Sequence, residues 1–324
     1  MYMSDAVSER TFDESEHEEV RSKIRAILQD ENKSQASLAK EVDIAYGTFT
    51  GWLSGSYQGN NDRITAAVQI WLAGRDEKKR QKSIVPRAPD YISTPSAQGF
   101  IEALRFAQVM PEISVIAGGA GIGKTTSIHE YARQNRNVWI ATMDPSTSSI
   151  HTMLLEVCDA MGLGNLAATK LVRSISGRVE GSGGLIIVDE AQHLKSEALD
   201  QLRSIYDRAA GGVGIALVGN ESVYSRLEGA GRKANFAQLF SRVGVRITQA
   251  KPKPNDICAI IEAWGVSEKE EVRLLKAIGG KPGALRGLTK CLQLASMLAA
   301  GTGEDRNVKH IKAAFERLTT SSAT

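Results

Sequence analysis

Gly118, Gly123, Lys124 and Thr125 fall in the spacing G-x-x-x-x-G-K-[ST] within IAGGAGIGKTTSIHEY, residues 116–131. Glycine concentrated at such a point lets backbone N–H groups turn inward, while the lysine and hydroxyl add a positive charge and an oxygen ligand. That combination suits the grip of a triphosphate. ISVIAG before the loop reads as a strand and KTTSIHEYARQ after it as a helix, so the loop opens onto a helix N-terminus, where anions are favoured. The predicted ATP-binding set is Gly118, Gly119, Ala120, Gly121, Ile122, Gly123, Lys124, Thr125 and Thr126, with Lys124 on the β- and γ-phosphates and Thr125 on Mg2+.

A second stretch, GLIIVDEAQHL (184–194), predicts a buried strand that delivers Asp189 and Glu190 at its carboxyl end. Ligands of open α/β sheets bind at that end. Asp189 is expected to hold Mg2+, partly through water, and Glu190 to polarise an attacking water. The reaction expected of these groups is hydrolysis of the β–γ bond of ATP, driven by positioning and charge neutralisation.

The elements that must position these residues can be traced along the chain. Between about 100 and 250, the strand-like runs ISVIAG, NVWIATM, GLIIVDE, GVGIALVGN and VGVRIT alternate with helical ones. This predicts an α/β core with a parallel five-stranded sheet. After KPKPND (251–256) the pattern is helical only, broken at GGKPG (279–283) and GTGED (301–305). Upstream, GRDEKKRQKSIVPRAPDYISTPSAQG (74–99) concentrates charge and proline and reads as a linker. Before it, SQASLAKEVDIAYGTFTGWLSG (34–55) reads as a helix-turn-helix, with Leu38, Ala39 and Val42 on the inner face of one helix, Ile44 in the turn, and Phe49, Trp52 and Leu53 burying the next.

The expected division is a disordered acidic tail (1–19), a helix-turn-helix domain (20–73), a linker (74–98), an α/β ATPase core (99–250), a helical lid (251–318) and a disordered tail (319–324). The 324 residues are 42% hydrophobic and 24% charged, ordinary for globular domains, and a net charge of +3 points to no partner by itself. Cys158, Cys258 and Cys291 lack metal-ligand spacing and read as core thiols of a reducing compartment. With no membrane-length apolar run and no signal pattern, the expected location is the cytoplasm.

The core also resembles the AAA+ ATPases. Asn220, after GIALVG, stands where that family carries its sensor-1 residue, beside the water and γ-phosphate. Arg242 in QLFSRVG resembles the arginine finger, with Arg232 and Arg246 as fallbacks, and Arg286 in GGKPGALRGL resembles the sensor-2 arginine of the lid. Asn220 also suits a helix cap, and Arg242 a surface position. A finger acting in trans implies head-to-tail self-assembly, which closes into rings or continues as helical filaments.

Tyr46, Thr48, Thr50 and Ser54 face outward on the second helix of the helix-turn-helix, and no Arg, Lys, Asn or Gln lies between 46 and 55 to read base edges. The expectation is backbone contact with duplex DNA and weak sequence preference. Scattered basic residues, Arg173 and Lys281 among them, would add phosphate contacts when repeated along a filament. Thr147 and Ser148 in DPSTSSIH (144–151) offer a further phosphate grip, with helix capping as the competing reading.

The combination of a small Cro-like helix-turn-helix, a linker and a compact AAA+ module with a short lid resembles the MuB, TniB and TnsC family of transposition ATPases. FTGWLSGSYQGNNDRI, NVWIATMDPS, LIIVDEAQHL, VYSRLEGAGRKANFAQLFSRV and KPGALRGL carry the resemblance, which runs from about 20 to 318. It implies ATP-bound subunits that polymerise on target DNA in a bacterial host's cytoplasm and activate a transposase, whose contact stimulates hydrolysis. The rival readings are an ATP-gated transcription regulator, an origin-processing or helicase-loading ATPase, and a peptide-remodelling motor. The last is disfavoured because no aromatic-hydrophobic-glycine pore loop follows the second core strand.

Overall fold

The computed structural model describes residues 11–84, 89, 91–164, 166–209, 212–223 and 241–319, and the chain divides into two compact units, Met1–Pro86 and Arg87–Thr324.

The first unit is helical: α1 (Glu14–Asp30), α2 (Gln35–Val42), α3 (Tyr46–Ser54) and α4 (Asn61–Ile84). Ser34 caps α2, and each of the next two breaks uses a left-handed residue, Asp43 at φ 61° and Gly55 at φ 76°. Leu38, Ala39, Val42, Phe49, Trp52 and Leu53 are buried together with Val20 and Ile24 from α1 and Ile64 and Val68 from α4. Trp52 is fully enclosed, and such a ring is worth about 3–5 kcal/mol against alanine. Its indole N–H donates to the Thr65 hydroxyl at 2.9 Å, which also meets His17 Nδ1 at 2.7 Å.

Two sequence expectations are corrected here. The acidic segment is not a tail through residue 19, because α1 starts at Glu14. Asp13 and Glu16 form a capping box at 2.8 and 3.0 Å, Phe12 is buried, and Glu14 and Glu18 pair with Arg21 and Arg25. Nor does the predicted linker begin at 74. Helix α4 continues to Ile84, since Arg, Glu, Lys and Gln all favour helix and the first proline is Pro86. Arg75 in this stretch stacks on Trp71 at 5.3 Å and pairs with Glu31. Residues 1–10 and 320–324, parts of the two expected tails, lie outside the described residues.

The second unit carries the sheet. Helix α5 (Pro95–Val109), capped by Thr94, precedes β1 (Ile113–Gly118), α6 (Lys124–Gln134) and β2 (Val138–Thr142). Then come α7 (Ile150–Ala160), α8 (Leu171–Val179), β3 (Gly184–Asp189), α9 (Ser196–Arg208), β4 (Val213–Gly219) and β5 (Val243–Gln249). The five strands are parallel in the order β2-β3-β4-β1-β5. Strands β1, β3 and β4 are buried along their whole length, which is why they read as unbroken apolar runs; edge strand β5 alternates. Val115 faces one apolar cluster and Ile116 the other, so the sheet has a core on each face.

The chain ends in four helices, α10 (Pro254–Ala263), α11 (Lys269–Gly279), α12 (Ala284–Thr302) and α13 (Val308–Thr319), around their own core of Ile260, Trp264, Leu275, Leu288, Leu292 and Ile311. Gly283 at φ 96° turns the chain into α12, so Arg286 lies in that helix's first turn. This is the helical lid the sequence predicts.

Candidate active site

Strand β1 ends at Gly118 and α6 starts at Lys124, so the glycine loop lies between a strand end and a helix N-terminus. Gly121 and Gly123 have φ of 78° and 98°, in the left-handed region where a side chain is costly. Three of the loop's glycines also serve a purpose the sequence did not disclose. A Cβ at Gly119 would stand 2.1 Å from the Ala250 carbonyl oxygen, one at Gly118 2.3 Å from that of Gln249, and one at Gly121 2.5 Å from that of Gly283. The loop is thus wedged between the end of β5 and the lid, and Gly123 alone of the four has open space around it. Gly119→Ala is therefore expected to lower the stability of the nucleotide-free protein by about 1–3 kcal/mol, read by thermal unfolding without nucleotide. An unchanged midpoint would mean that the loop can shift away from Ala250 at no cost.

Lys124 Nζ donates to the carbonyls of Gly118 at 2.7 Å and Gly119 at 2.8 Å. Burial lowers its pKa below the ordinary lysine value, and the carboxylates of Glu190 and Asp189 act the other way. Asp189, at the end of β3, is 2% exposed, and burial pushes its carboxyl pKa up. The Glu190 N–H at 2.9 Å and the Thr125 hydroxyl at 3.1 Å donate to it and pull the other way. A buried carboxylate beside a threonine hydroxyl is a hard-oxygen pair, fit for one edge of a cation that takes its remaining ligands from phosphate and water. Among the described residues no cluster of three or more His, Cys, Asp or Glu could hold a metal alone.

Glu190 holds φ 53°. A non-glycine residue in that region marks strain kept for a reason. Its carboxylate meets the side-chain amide of Gln192, whose Oε1 accepts the Asn220 N–H at 3.1 Å. Glu190, Lys124, Thr125, Thr126, Ala120 and Gly121 line one part of a cavity of about 430 Å³. Arg286 also lines it, and its backbone N–H donates to Gly121 O at 3.3 Å. The Ile122 side chain is 1% exposed and belongs to the core, so this residue can meet a ligand only through its backbone, as a loop of inward-turned amides requires.

The rest of the wall is mixed: Tyr91, Ile92, Ile260, Trp264 and Leu285 form an apolar stretch suited to a flat base, and Thr289, Lys290 and Gln293 add polar groups. Trp264 Nε1 is buried with no protein partner. Sequence reasoning missed Tyr91 and Trp264. One follows a proline-rich stretch and the other ends a lid helix, and only the fold makes them neighbours.

Asn220 follows β4, but its side chain caps the next turn: Oδ1 accepts from Ser222 N at 2.9 Å and Ser222 Oγ at 2.6 Å. The competing capping role is the one this conformation displays. Arg242 is at the opposite end of the sheet. Strand β5 pairs with β1 from Val243 opposite Ile113 to Gln249 opposite Gly118, so about 20 Å of strand separates Arg242 from the glycine loop. Its Nε donates to Asp207 at 2.6 Å. It cannot reach its own chain's nucleotide site. Arg246 lies within β5, and Arg232 is outside the described residues.

The predicted DNA contacts fare unevenly. Tyr46 is 56% exposed and Thr48 half-buried. The Thr50 hydroxyl, however, donates to the Tyr46 and Gly47 carbonyls at 3.0 and 3.1 Å, and that of Ser54 to Gly51 O at 3.0 Å. Ser54 Oγ also meets Ser56 Oγ at 2.8 Å, so in this conformation both hydroxyls are engaged locally and would have to exchange those bonds to meet a phosphate. Thr147 is corrected outright: it is 7% exposed and its hydroxyl closes a capping box with Asp144, while Ser149 caps α7. Ser148 is half-buried and its carbonyl accepts Lys195 N–H at 3.0 Å. Arg173 is exposed on α8, and Lys281 is exposed with its ammonium 4.5 Å from the Phe315 ring centroid.

A parallel sheet of this order, with a glycine loop after β1, an Asp-Glu pair after β3 and a helical lid carrying an arginine to the loop, defines an ATPase of the AAA class. An AAA domain matches residues 110–227, and the C-terminal domain of the Mu B transposition protein matches residues 241–318. The ATP-dependent target DNA activator B of Escherichia phage Mu is 35% identical over 302 residues, covering 93% of this chain and 95% of that protein. The protein of the same description in Escherichia phage D108 matches at the same identity and coverage. The Mu-like prophage FluMu DNA transposition protein B of Haemophilus influenzae is 35% identical over 272 residues, 83% of this chain and 93% of its own. The chain belongs to the Mu B transposition protein family.

Proposed function

We propose that this protein is an ATP-dependent DNA-binding ATPase of transposition, which assembles head to tail on target duplex with little sequence preference and there activates a transposase. One observation carries the reading: a chain 35% identical over 93% of its length to an ATP-dependent target DNA activator keeps Lys124, Thr125, Asp189 and Glu190 together around one loop.

The loop amides and Lys124 take the β- and γ-phosphates, with Lys124 exchanging its bonds to Gly118 O and Gly119 O for phosphate oxygens. Thr125 and Asp189 would hold Mg2+, which would neutralise charge on the phosphate oxygens. Glu190 orients the attacking water, and Arg286 brings the lid to the γ-phosphate, so the lid senses whether that phosphate is present. Arg242 serves the nucleotide of the adjoining protomer. Asn220 joins the site only by leaving its cap on Ser222.

Duplex binding draws on exposed cations, Arg173 and Lys281 among them, repeated along the assembly, and on Tyr46 and Thr48 of α3. A sequence-reading regulator is disfavoured: α3 carries no Arg, Lys, Asn or Gln for bidentate contacts to base edges, and two of its hydroxyls are bonded to its own backbone. No helix of the described residues is long and apolar enough to cross a membrane, in keeping with work at DNA in the cytoplasm.

Electron microscopy of the protein on random-sequence duplex with ATP, ADP or no nucleotide tests this. Continuous filaments with ATP alone are expected. Discrete particles at one sequence, or equal coating without nucleotide, would overturn it.

A further inference from the structure

The geometry points to Gln192 as a positioning residue for hydrolysis, a role that rests on Glu190 being the group that orients the water. The Gln192 side-chain amide joins two elements. Its Oε1 accepts the backbone N–H of Asn220, just past β4, at 3.1 Å, and its Nε2 donates to Glu190 Oε2. Which end is which follows from the partners: a backbone N–H needs an acceptor and a carboxylate a donor, so the amide has one orientation that satisfies both.

The strand end is shaped for this amide. A Cβ at Gly219 would lie 2.4 Å from Gln192 Oε1, and a glycine there admits it. Gln192 itself lies in a 3-10 turn, Ala191–His193, closed by the His193 N–H to Glu190 O at 3.0 Å, so its backbone moves with that of Glu190.

A carboxylate has two oxygens, and orienting a water requires only one of them in a defined direction. Gln192 occupies Oε2 and thereby aims Oε1. Because the other end of the amide is fixed at Asn220, displacement of the β4 end is passed to Glu190. Gln192 is not among the residues that line the cavity. It acts through Glu190.

Steady-state ATP hydrolysis by the full chain, with kcat and KM resolved, tests this in Gln192→Ala, Gln192→Glu, Glu190→Gln and the Glu190→Gln/Gln192→Glu double variant. Gln192→Glu keeps the length of the side chain and an acceptor for Asn220 N–H, but has no amide donor for Glu190. Both Gln192 variants are expected to lose between about tenfold and a hundredfold in kcat, with KM for ATP and the unfolding midpoint near wild type. The double variant should fall no further than Glu190→Gln alone. A Gln192→Glu protein with wild-type kcat would reduce the amide to a packing role and overturn the inference, as would losses that multiply in the double variant. Wild-type turnover in Glu190→Gln would instead defeat the reading of Glu190, an outcome readily told apart from the other two.

Discussion

Glu190→Gln is expected to bind ATP about as well as the wild type and to lose about 10²–10⁴ in kcat. The substitution keeps the side chain's size and leaves Lys124, Thr125 and Asp189 with their contacts, so the phosphate grip is retained. What it removes is the negative oxygen that draws a proton from the attacking water. The left-handed backbone at φ 53° remains, since it belongs to the turn rather than to the carboxylate. If lid and assembly respond to the γ-phosphate as proposed, the variant should also persist on DNA after ATP is added, under conditions where the wild type is expected to dissociate as ADP accumulates. Nucleotide titration and time-resolved DNA binding together check both halves. A variant that loses affinity and turnover in parallel would place Glu190 in binding instead.

Arg242→Ala is expected to keep nucleotide affinity in the isolated protomer and to lose DNA-stimulated hydrolysis by about 10³–10⁵, the range for an arginine that neutralises transition-state charge. The geometric ground is the register of β5 on β1, which puts Arg242 at the strand end away from the glycine loop. An arginine so placed cannot reach its own nucleotide, and the proposed role is at a neighbour's. It is paired with Asp207, which also accepts from Arg203 at 2.6 Å, so service to a neighbour would require this charged cluster to reorganise on docking. Assembly and turnover would then be two readings of one contact. Full DNA-stimulated activity in the variant would return Arg242 to the status of a surface ion pair.

What the sequence disclosed, and what it hid, follow from how far apart the cooperating residues lie. Lys124, Thr125, Asp189 and Glu190 were legible because the chemistry demands particular residue types at fixed spacing after a strand. The five strands were legible because central parallel strands are buried on both faces and so read as apolar runs. Helix α1 and the end of α4 were misread because charge-rich stretches resemble tails and linkers by composition, while a capping box at Asp13 and a run of good helix formers after Gly74 decide otherwise. The packing of Gly118, Gly119 and Gly121 against Gln249, Ala250 and Gly283 was hidden, as was the place of Trp264 in the cavity wall, because these groups meet only after folding. Thr50, Ser54 and Thr147 show the converse: a hydroxyl on the right helix or loop is already engaged with its own backbone or cap, which residue type alone does not reveal.

Central to the proposed mechanism is that two protomers complete one active site. Mixing Arg242→Ala with Lys124→Ala protein on duplex tests it directly, since each variant alone should hydrolyse ATP poorly for a different reason. At a mixed interface the Arg242→Ala protomer supplies an intact glycine loop and the Lys124→Ala protomer an intact arginine, so activity is predicted to return when the two are combined. A mixture as inactive as its components, though both are folded and bound to the same DNA, would contradict the shared site.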